Sequence, residues 1–96
     1  MIITQVRFPR TTPISLADVT AIFESTAPKY KGRKGLQKKI YTRSEDGLIV
    51  GALYYWASRA DAEATYTAEW REMVTSKYGT APEITFFDAP VVVDNG

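Results

Sequence analysis

Residues 36–56, LQKKIYTRSEDGLIVGALYYW, decide the fold of this chain. Two runs rich in apolar and β-branched residues, Leu36 to Arg43 and Leu48 to Trp56, flank the turn sequence Ser44-Glu45-Asp46-Gly47. A short polar turn that contains Gly between two such runs is typical of a β-hairpin. The sequence therefore predicts two antiparallel strands in the middle of the chain.

The second of these strands is apolar on both sides. Alternate residues of a strand point to opposite faces of a sheet. One side of this strand carries Leu48, Val50, Ala52, Tyr54 and Trp56, and the other carries Ile49, Gly51, Leu53 and Tyr55. On the first strand we expect Gln37, Lys39, Tyr41 and Arg43 to share one side, and Leu36 and Ile40 to face the core. Because neither side of the second strand is polar enough to face water, both faces of the sheet are predicted to be covered.

A strand and a helix are predicted before the hairpin. Residues from Ile2 to Phe8 alternate apolar and polar side chains, as in a half-buried strand. A capping box at Ser15 opens a helix whose apolar positions continue to Tyr30, and this helix should end or kink near Pro28.

A helix and a strand are predicted after the hairpin, followed by an apolar tail. A second capping box, at Ser58, opens one long helix that runs to about Lys77 and stops at Gly79. Glu83 to Asp88 then form the fourth strand, and the valines at 91–93 after Pro90 should dock against other apolar surface.

These elements predict an α+β domain of ferredoxin-like type, β-α-β-β-α-β, covering residues 1–96. Four antiparallel strands would form one sheet with both helices on a single face. Since the helices cover only one face, a second subunit is the simplest cover for the other face. We therefore predict a homodimer.

The composition excludes several kinds of chemistry. The chain has no Cys and no His, so it has no disulfide, thiolate nucleophile, Ser-His-Asp triad or His-ligated haem, and we predict no cofactor and no metal. It has 12 Lys and Arg against 11 Asp and Glu, so no overall field attracts nucleic acid or anionic lipid. Without a signal-peptide pattern or a long apolar run, the protein is expected to be cytoplasmic and away from membranes.

Several segments resemble a known family. They are 25–30 (STAPKY), the hairpin residues 39–41 (KIY) with 51–56 (GALYYW), 66–79 from Tyr66 through Glu69-Trp70-Arg71 to Tyr78-Gly79, and 90–94 (PVVVD). On these segments the chain resembles the dimeric α+β barrels related to antibiotic-biosynthesis mono-oxygenases, and among them the small mono-oxygenase-like proteins of the YdhR type. The resemblance implies a dimer joined by its sheets, with a pocket in each subunit. It also implies oxidation of electron-rich phenols or quinols without a bound cofactor.

Candidate site residues follow from this resemblance and from the aromatic residues of the hairpin. A flat aromatic ligand would stack on tyrosines and tryptophans, while cations hold its phenolate or carboxylate and a hydroxyl relays a proton. The predicted catalytic residues are Lys39, Tyr54 and Asp88. The predicted substrate-binding residues are Tyr41, Arg43, Trp56, Tyr66 and Trp70.

Other interpretations of the same residues stay open. The strand aromatics could simply pack a dimer interface, and Tyr66 and Trp70 could simply pack the core. The basic segment 29–39 could be a solvated connector, or it could bind RNA, which ranks third because the strand 47–54 lacks the aromatic pair of the RNA-recognition motif. A non-catalytic dimeric protein that binds small molecules is the alternative to an enzyme.

Overall fold

The computed structural model describes Met1 to Gly96 and contains four strands, three α-helices and one short 3₁₀ helix. The elements in chain order are β1 (Ile2–Pro9), α1 (Leu16–Thr26), the 3₁₀ helix (Ala27–Tyr30), β2 (Leu36–Arg43), β3 (Ile49–Trp56), α2 (Arg59–Thr65), α3 (Ala68–Tyr78) and β4 (Glu83–Asp88). The α+β class predicted from the sequence is confirmed. None of the helices combines the length and the apolar character needed to cross a membrane.

The four strands form a single antiparallel sheet in the order β2-β3-β1-β4. The first strand is therefore central, and Val6 lies opposite Ala52 on one side and Ile84 on the other. This order is the one that two β-α-β halves produce in a ferredoxin-like fold, so the predicted topology is confirmed.

The helix ends follow the local sequence signals. The Ser15 hydroxyl accepts a hydrogen bond from the Asp18 N–H at 3.1 Å, and the Ser58 hydroxyl accepts one from the Asp61 N–H at 3.2 Å. Each bond satisfies one of the N–H groups that the first turn of a helix leaves free. Gly79 ends α3 in the left-handed conformation, with φ of 77°. As expected near Pro28, α1 gives way to the 3₁₀ helix after Thr26.

The prediction of one continuous helix from Ser58 to Lys77 was wrong. The chain leaves the helical conformation at Tyr66, where ψ is 54°, and a new helix begins after Thr67. The Thr67 hydroxyl accepts a hydrogen bond from the backbone N–H of Trp70 at 3.1 Å. A threonine hydroxyl can bond to nearby backbone groups in place of a helical hydrogen bond. Threonine is therefore more favourable at the start of a helix than in its interior.

The predicted sidedness of β2 was also wrong in part. The pairing of β2 with β3 contains a β-bulge between Leu36 and Lys38, which inserts one extra residue. The bulge reverses the alternation, so Leu36 lies on the same face as Lys39. Ile40, which was expected to face the core, is 41% exposed on the opposite face.

The core lies between the sheet and the helices. Its buried residues are Val6, Phe8, Val19, Phe23, Val50, Ala52, Tyr54, Trp56, Ala62, Tyr66, Trp70 and Val74. The sheet supplies half of this list and the helices and the α2–α3 junction supply the rest, so a single face of the sheet carries the core.

The other sheet face, termed here the open face, is not covered by any helix. Its apolar side chains are Ile3, Ile40, Ile49, Leu53, Tyr55 and Phe87. The valines of the tail, expected to dock, are instead 81%, 63% and 81% exposed at positions 91, 92 and 93. Val91 and Val92 lie beside Met1 and Tyr55 at one end of the open face. Within one chain, the apolar residues of this face and the tail therefore keep much of their contact with water.

Candidate functional site

Lys39 lies among three tyrosine rings on the helix-covered face of the sheet. Its Nζ atom is 3.4 Å from the ring centroid of Tyr30, 4.1 Å from that of Tyr41 and 4.6 Å from that of Tyr54. We call these three residues the tyrosine cage. An ammonium group at such distances is attracted by the negative faces of the rings.

Three different elements build the cage. The β-bulge near Gln37 turns Lys39 and Tyr41 of β2 towards the helices, and the sheet register places Tyr54 of β3 opposite Lys39. Tyr30 comes from the end of the 3₁₀ helix. The Trp70 indole N–H, on α3, donates a hydrogen bond to the Tyr30 hydroxyl at 3.0 Å and so fixes the position of this third ring.

A chain of hydrogen bonds leads from Lys39 to the backbone of α1. The Lys39 amine donates to the Tyr41 hydroxyl at 2.9 Å, and the Tyr41 and Thr26 hydroxyl oxygens are 2.7 Å apart. Thr26 donates its single proton to the carbonyl oxygen of Phe23 at 3.0 Å. The Tyr41 hydroxyl must therefore donate to Thr26, which leaves its oxygen as the acceptor for Lys39.

A small cavity adjoins the cage, between the sheet and α3. Its volume is about 20 Å³, which is room for roughly one water molecule. Most of its lining is apolar and comes from residues such as Phe8, Ala52 and Val74. Lysine amines and hydroxyl groups are its polar side chains, and no carboxylate lines it.

A groove of about 290 Å³ lies on the outer side of the cage, beside the 3₁₀ helix. Tyr30, Lys39 and Tyr41 line both the inner cavity and this groove. These three side chains are therefore the wall between the cavity and the surface. The groove also carries Lys31 and Lys38, and no acidic residue lines it.

Burial shifts the pKa values of this site in opposite directions for the amine and the phenols. It lowers the pKa of Lys39 to about 7, because the charged ammonium loses solvation. It raises the pKa of Tyr54 far above its usual range, raises the pKa of Tyr66 to about 12, and raises the pKa values of Tyr41 and Tyr78. At neutral pH these tyrosines stay protonated, and Lys39 is the group able to gain or lose a proton.

Four of the predicted site residues come together around the inner cavity. Lys39, Tyr41, Tyr54 and Trp70 all line it. The indole N–H of Trp70 donates its hydrogen bond to the Tyr30 hydroxyl, so Trp70 can offer a ligand only its ring.

Two more predicted residues lie behind the cage in the core. Trp56 is fully buried and donates its indole N–H to the Thr4 hydroxyl at 3.0 Å. The Tyr66 hydroxyl shares the same Thr4 oxygen. Neither ring lines the cavity, although the Trp56 and Tyr66 rings contact Tyr54 at centroid distances of 5.8 and 5.6 Å.

Arg43 and Asp88 stand apart from the cage. The Arg43 guanidinium donates to the carbonyl oxygens of Ile14 at 2.9 Å and Glu45 at 3.2 Å, and so ties two loops together. Asp88 is exposed at the end of β4 and lines neither the cavity nor the groove. No three acidic side chains lie close enough together to hold a metal ion.

Sequence reasoning missed several residues of the cavity. They are Thr26, Tyr30, Met73, Lys77 and Tyr78. Tyr30 is central to the cage, yet in the sequence it is only the last apolar position of the first predicted helix. The signal that could have singled it out is Pro28, which ends the regular helix and changes the direction in which Tyr30 points.

Solved structures with the same fold include two oxygenases from Streptomyces. The chain is similar to the monooxygenase from the gene ActVA-Orf6 of Streptomyces coelicolor, solved with the ligand nanaomycin D, at 18% identity and a TM-score of 0.75, over 99% of this chain and 92% of that one. It is similar to a mutant of SnoaB, a cofactor-independent oxygenase from Streptomyces nogalater, at 17% identity and a TM-score of 0.67, over 96% and 95% of the two chains.

A third similar structure is a protein of unknown function from Nitrosomonas europaea, at 14% identity and a TM-score of 0.71, over 99% of this chain and 94% of that one. No protein-family model and no curated protein matches the sequence. At these identities the likeness shows the fold alone. The predicted resemblance to the antibiotic-biosynthesis mono-oxygenases is confirmed as a resemblance of fold, while the narrower YdhR-type resemblance stays a prediction.

Proposed function

We propose that this protein is a cofactor-independent mono-oxygenase that acts on a small electron-rich aromatic, of phenol or quinol type, in the pocket of each subunit. The observation that carries the proposal is the Lys39 amine, held by the tyrosine cage beside a small, mostly apolar cavity. Two of the structures with this fold are oxygenases by name, which supports the same class of reaction. The absence of a cofactor is part of the proposal.

The first step assigned to the site is proton transfer from the substrate. Neutral Lys39 accepts the phenol proton, and the resulting ammonium stays beside the phenolate while the cage rings attract it. A pKa of about 7 leaves a large share of the amine unprotonated at neutral pH. Tyr54 cannot serve as the base, because its raised pKa keeps its hydroxyl protonated.

The second step is the reaction of the phenolate with oxygen. One electron passes from the phenolate to O₂, and the two radicals combine into a C–O bond. The hydroperoxide formed then loses water to leave a carbonyl group on the ring. One oxygen atom enters the product and the other leaves as water, and the phenol supplies all four electrons, so no outside reductant is needed. An apolar cavity that has widened to admit the ring favours these steps by orienting the ring and excluding bulk water.

Entry of an aromatic ring requires the cavity to widen, because its present volume fits about one water molecule. The wall formed by Tyr30, Lys39 and Tyr41 separates it from a groove that is large enough for such a ligand. Tyr30 lies at the end of a four-residue 3₁₀ helix, so its ring is held by less regular structure than the two strand tyrosines. We propose that the substrate enters from the groove by displacing Tyr30.

The function is tested with a panel of phenols, hydroquinones and naphthols, following Trp fluorescence for binding and an oxygen electrode for turnover. Wild-type protein is expected to consume oxygen with at least one ligand that binds. Lys39→Met should reduce the rate by 100-fold or more, in the range of a lost general base, while Lys34→Met, at an exposed position that lines neither the cavity nor the groove, should not change it.

The outcomes also separate the alternative. Binding without oxygen uptake, unchanged by Lys39→Met, would favour a non-catalytic protein that binds small molecules. If no member of the panel binds, the pocket assignment itself is wrong.

We further propose that the working form is a homodimer joined by the open faces of two sheets. The open face has apolar residues on all four strands, and the valines of the tail lie exposed beside one end of it. A second copy would cover these residues with an identical surface, as in most symmetric dimers.

A further inference from the structure

The Lys39 amine stands at the boundary between the inner cavity and the outer groove, and it lines both. A ligand that docks in the groove can reach Nζ without crossing the core. The amine lies 2.9 Å from the Tyr41 hydroxyl and against the faces of the three cage rings, with the Tyr30 centroid at 3.4 Å. An aromatic group entering from the groove would meet rings that can stack with it next to a primary amine.

The electron pair of this amine is free for bond formation. The only hydrogen-bond partner of Nζ is the Tyr41 hydroxyl, and Nζ is the donor in that bond. Lys39 forms no ion pair, and no carboxylate lines the cavity or the groove to hold it as ammonium. Burial adds to this by lowering the pKa of Lys39 to about 7, whereas an exposed lysine is almost fully protonated at that pH.

We propose that Lys39 is a nucleophile that forms a reversible Schiff base with an aromatic aldehyde bound at the tyrosine cage. Nζ attacks the carbonyl carbon to form a C–N bond, and the carbonyl oxygen takes up a proton to give a carbinolamine. The hydroxyl group then leaves as water, so the amine and the aldehyde give an imine and one water molecule. The oxidation state of the ligand does not change, and no further reactant is needed.

The Tyr41 hydroxyl is placed to assist the loss of water. It is 2.9 Å from Nζ, and its raised pKa keeps it protonated as an acid at neutral pH. Tyr41 donates this proton to Thr26 at 2.7 Å before the ligand binds, so its hydroxyl must turn from Thr26 to the carbinolamine oxygen as the water leaves. The groove around the cage carries Lys31 and Lys38 and no acid, which favours an aldehyde that also bears a carboxylate.

The experiment traps the imine with cyanoborohydride and a planar probe, 4-formylbenzoate, at pH 7.0, followed by peptide mass mapping. The expected result is an adduct at Lys39 at least ten-fold above that at Lys34, an exposed lysine that lines neither the cavity nor the groove. The rate of trapping at Lys39 should reach half of its maximum near pH 7. In urea-unfolded protein, the ratio of the two adducts should fall to about one.

Variants test the geometry. Lys39→Arg should abolish the fast adduct and Lys34→Arg should leave it, while Tyr41→Phe should slow imine formation several-fold. The ratio of the two lysine adducts is measured in the wild-type protein, so it does not depend on whether a variant folds. Equal labelling of Lys39 and Lys34 in the folded protein, or an unreactive Lys39, would overturn the proposal. The trapping uses neither oxygen nor a phenol, so its result is independent of the mono-oxygenase assay.

Discussion

At the scale of single residues, one buried hydroxyl organises the aromatic core behind the site. Thr4 is fully buried in the central strand, and its oxygen accepts the indole N–H of Trp56 and bonds the hydroxyl of Tyr66. Both rings contact Tyr54 of the cage. The position of Tyr54 beside Lys39 therefore depends on the hydrogen bonds that Thr4 makes in the core behind the cage.

Replacing Thr4 by Val keeps the shape and removes this hydroxyl. The Trp56 N–H and the Tyr66 hydroxyl would then be buried without a partner, which costs about 2 kcal/mol or more in free energy of unfolding. Thr11→Val, at an exposed position of the loop after β1, is the matched control and should change stability by less than about 0.5 kcal/mol. Urea unfolding of both variants measures the difference, and equal stabilities would show that Thr4 does not hold these rings.

The charge of Lys39 should appear in the pH dependence of stability. Its pKa is about 7 in the folded protein and 10.5 in an unfolded chain, so between these values the unfolded state binds more protons. Stability from this group is therefore lost as pH falls from about 10.5 to 7. Relative to Lys39→Met, the wild type should gain up to about 1.4 kcal/mol per pH unit on going from pH 7 to pH 10.

Urea unfolding of both proteins across this range measures the effect, and the tyrosines, present in both, cancel in the difference. If the difference in free energy of unfolding between the two proteins does not change with pH, the cage keeps Lys39 charged. Lys39 could then not act as a base at neutral pH. Such a result would also remove the basis for a reactive amine at neutral pH.

At the scale of elements, the sequence was informative wherever a local signal decides the structure. The capping serines, Gly79 and the hairpin turn act on their immediate neighbours, and each ends or begins an element where expected. The β-bulge at Gln37 and the helix break at Tyr66 were missed, since tertiary packing selects them among locally similar options.

The same distinction explains the candidate site. Lys39, Tyr41 and Tyr54 were found because they belong to the hairpin, whose pairing the sequence predicts. Tyr30 was missed because its place depends on how the 3₁₀ helix packs against Trp70. Arg43 and Asp88 are the last residues of β2 and β4. The sequence could not show that these strand ends are distant from the cage.

The break between α2 and α3 gives a prediction for an element. Thr67→Ala removes the hydroxyl that accepts a hydrogen bond from the backbone N–H of Trp70. The loss of such a cap costs about 1 kcal/mol in free energy of unfolding. Thr75→Ala, inside α3, is the control and should be neutral or slightly stabilising, because Ala is the better helix former. Thermal unfolding followed by circular dichroism compares the two. A loss of stability in Thr75→Ala equal to that in Thr67→Ala would contradict a special role for the cap.

At the scale of the whole molecule, the open face makes the oligomeric state testable. Leu53→Glu places a charge in the middle of this face and should convert a dimer into a monomer at micromolar concentration, as judged by light scattering. Deletion of residues 91–96 should weaken association if the exposed valines cover part of the partner. Ala21→Glu, on an exposed position of α1, should leave the mass unchanged. A wild-type protein of monomer mass would refute the proposed dimer.

The strand order has a consequence for the time course of folding. The β2–β3 hairpin closes a short loop, so it can form early and on its own. β1 is synthesised first but must wait for β3 on one edge and for β4, which begins only at Glu83, on the other. One edge of β1 can pair once β3 is complete at Trp56, but its other edge stays available for wrong pairings until nearly the whole chain has been made. We expect refolding to be limited by the docking of β1 and β4, long after the hairpin has formed.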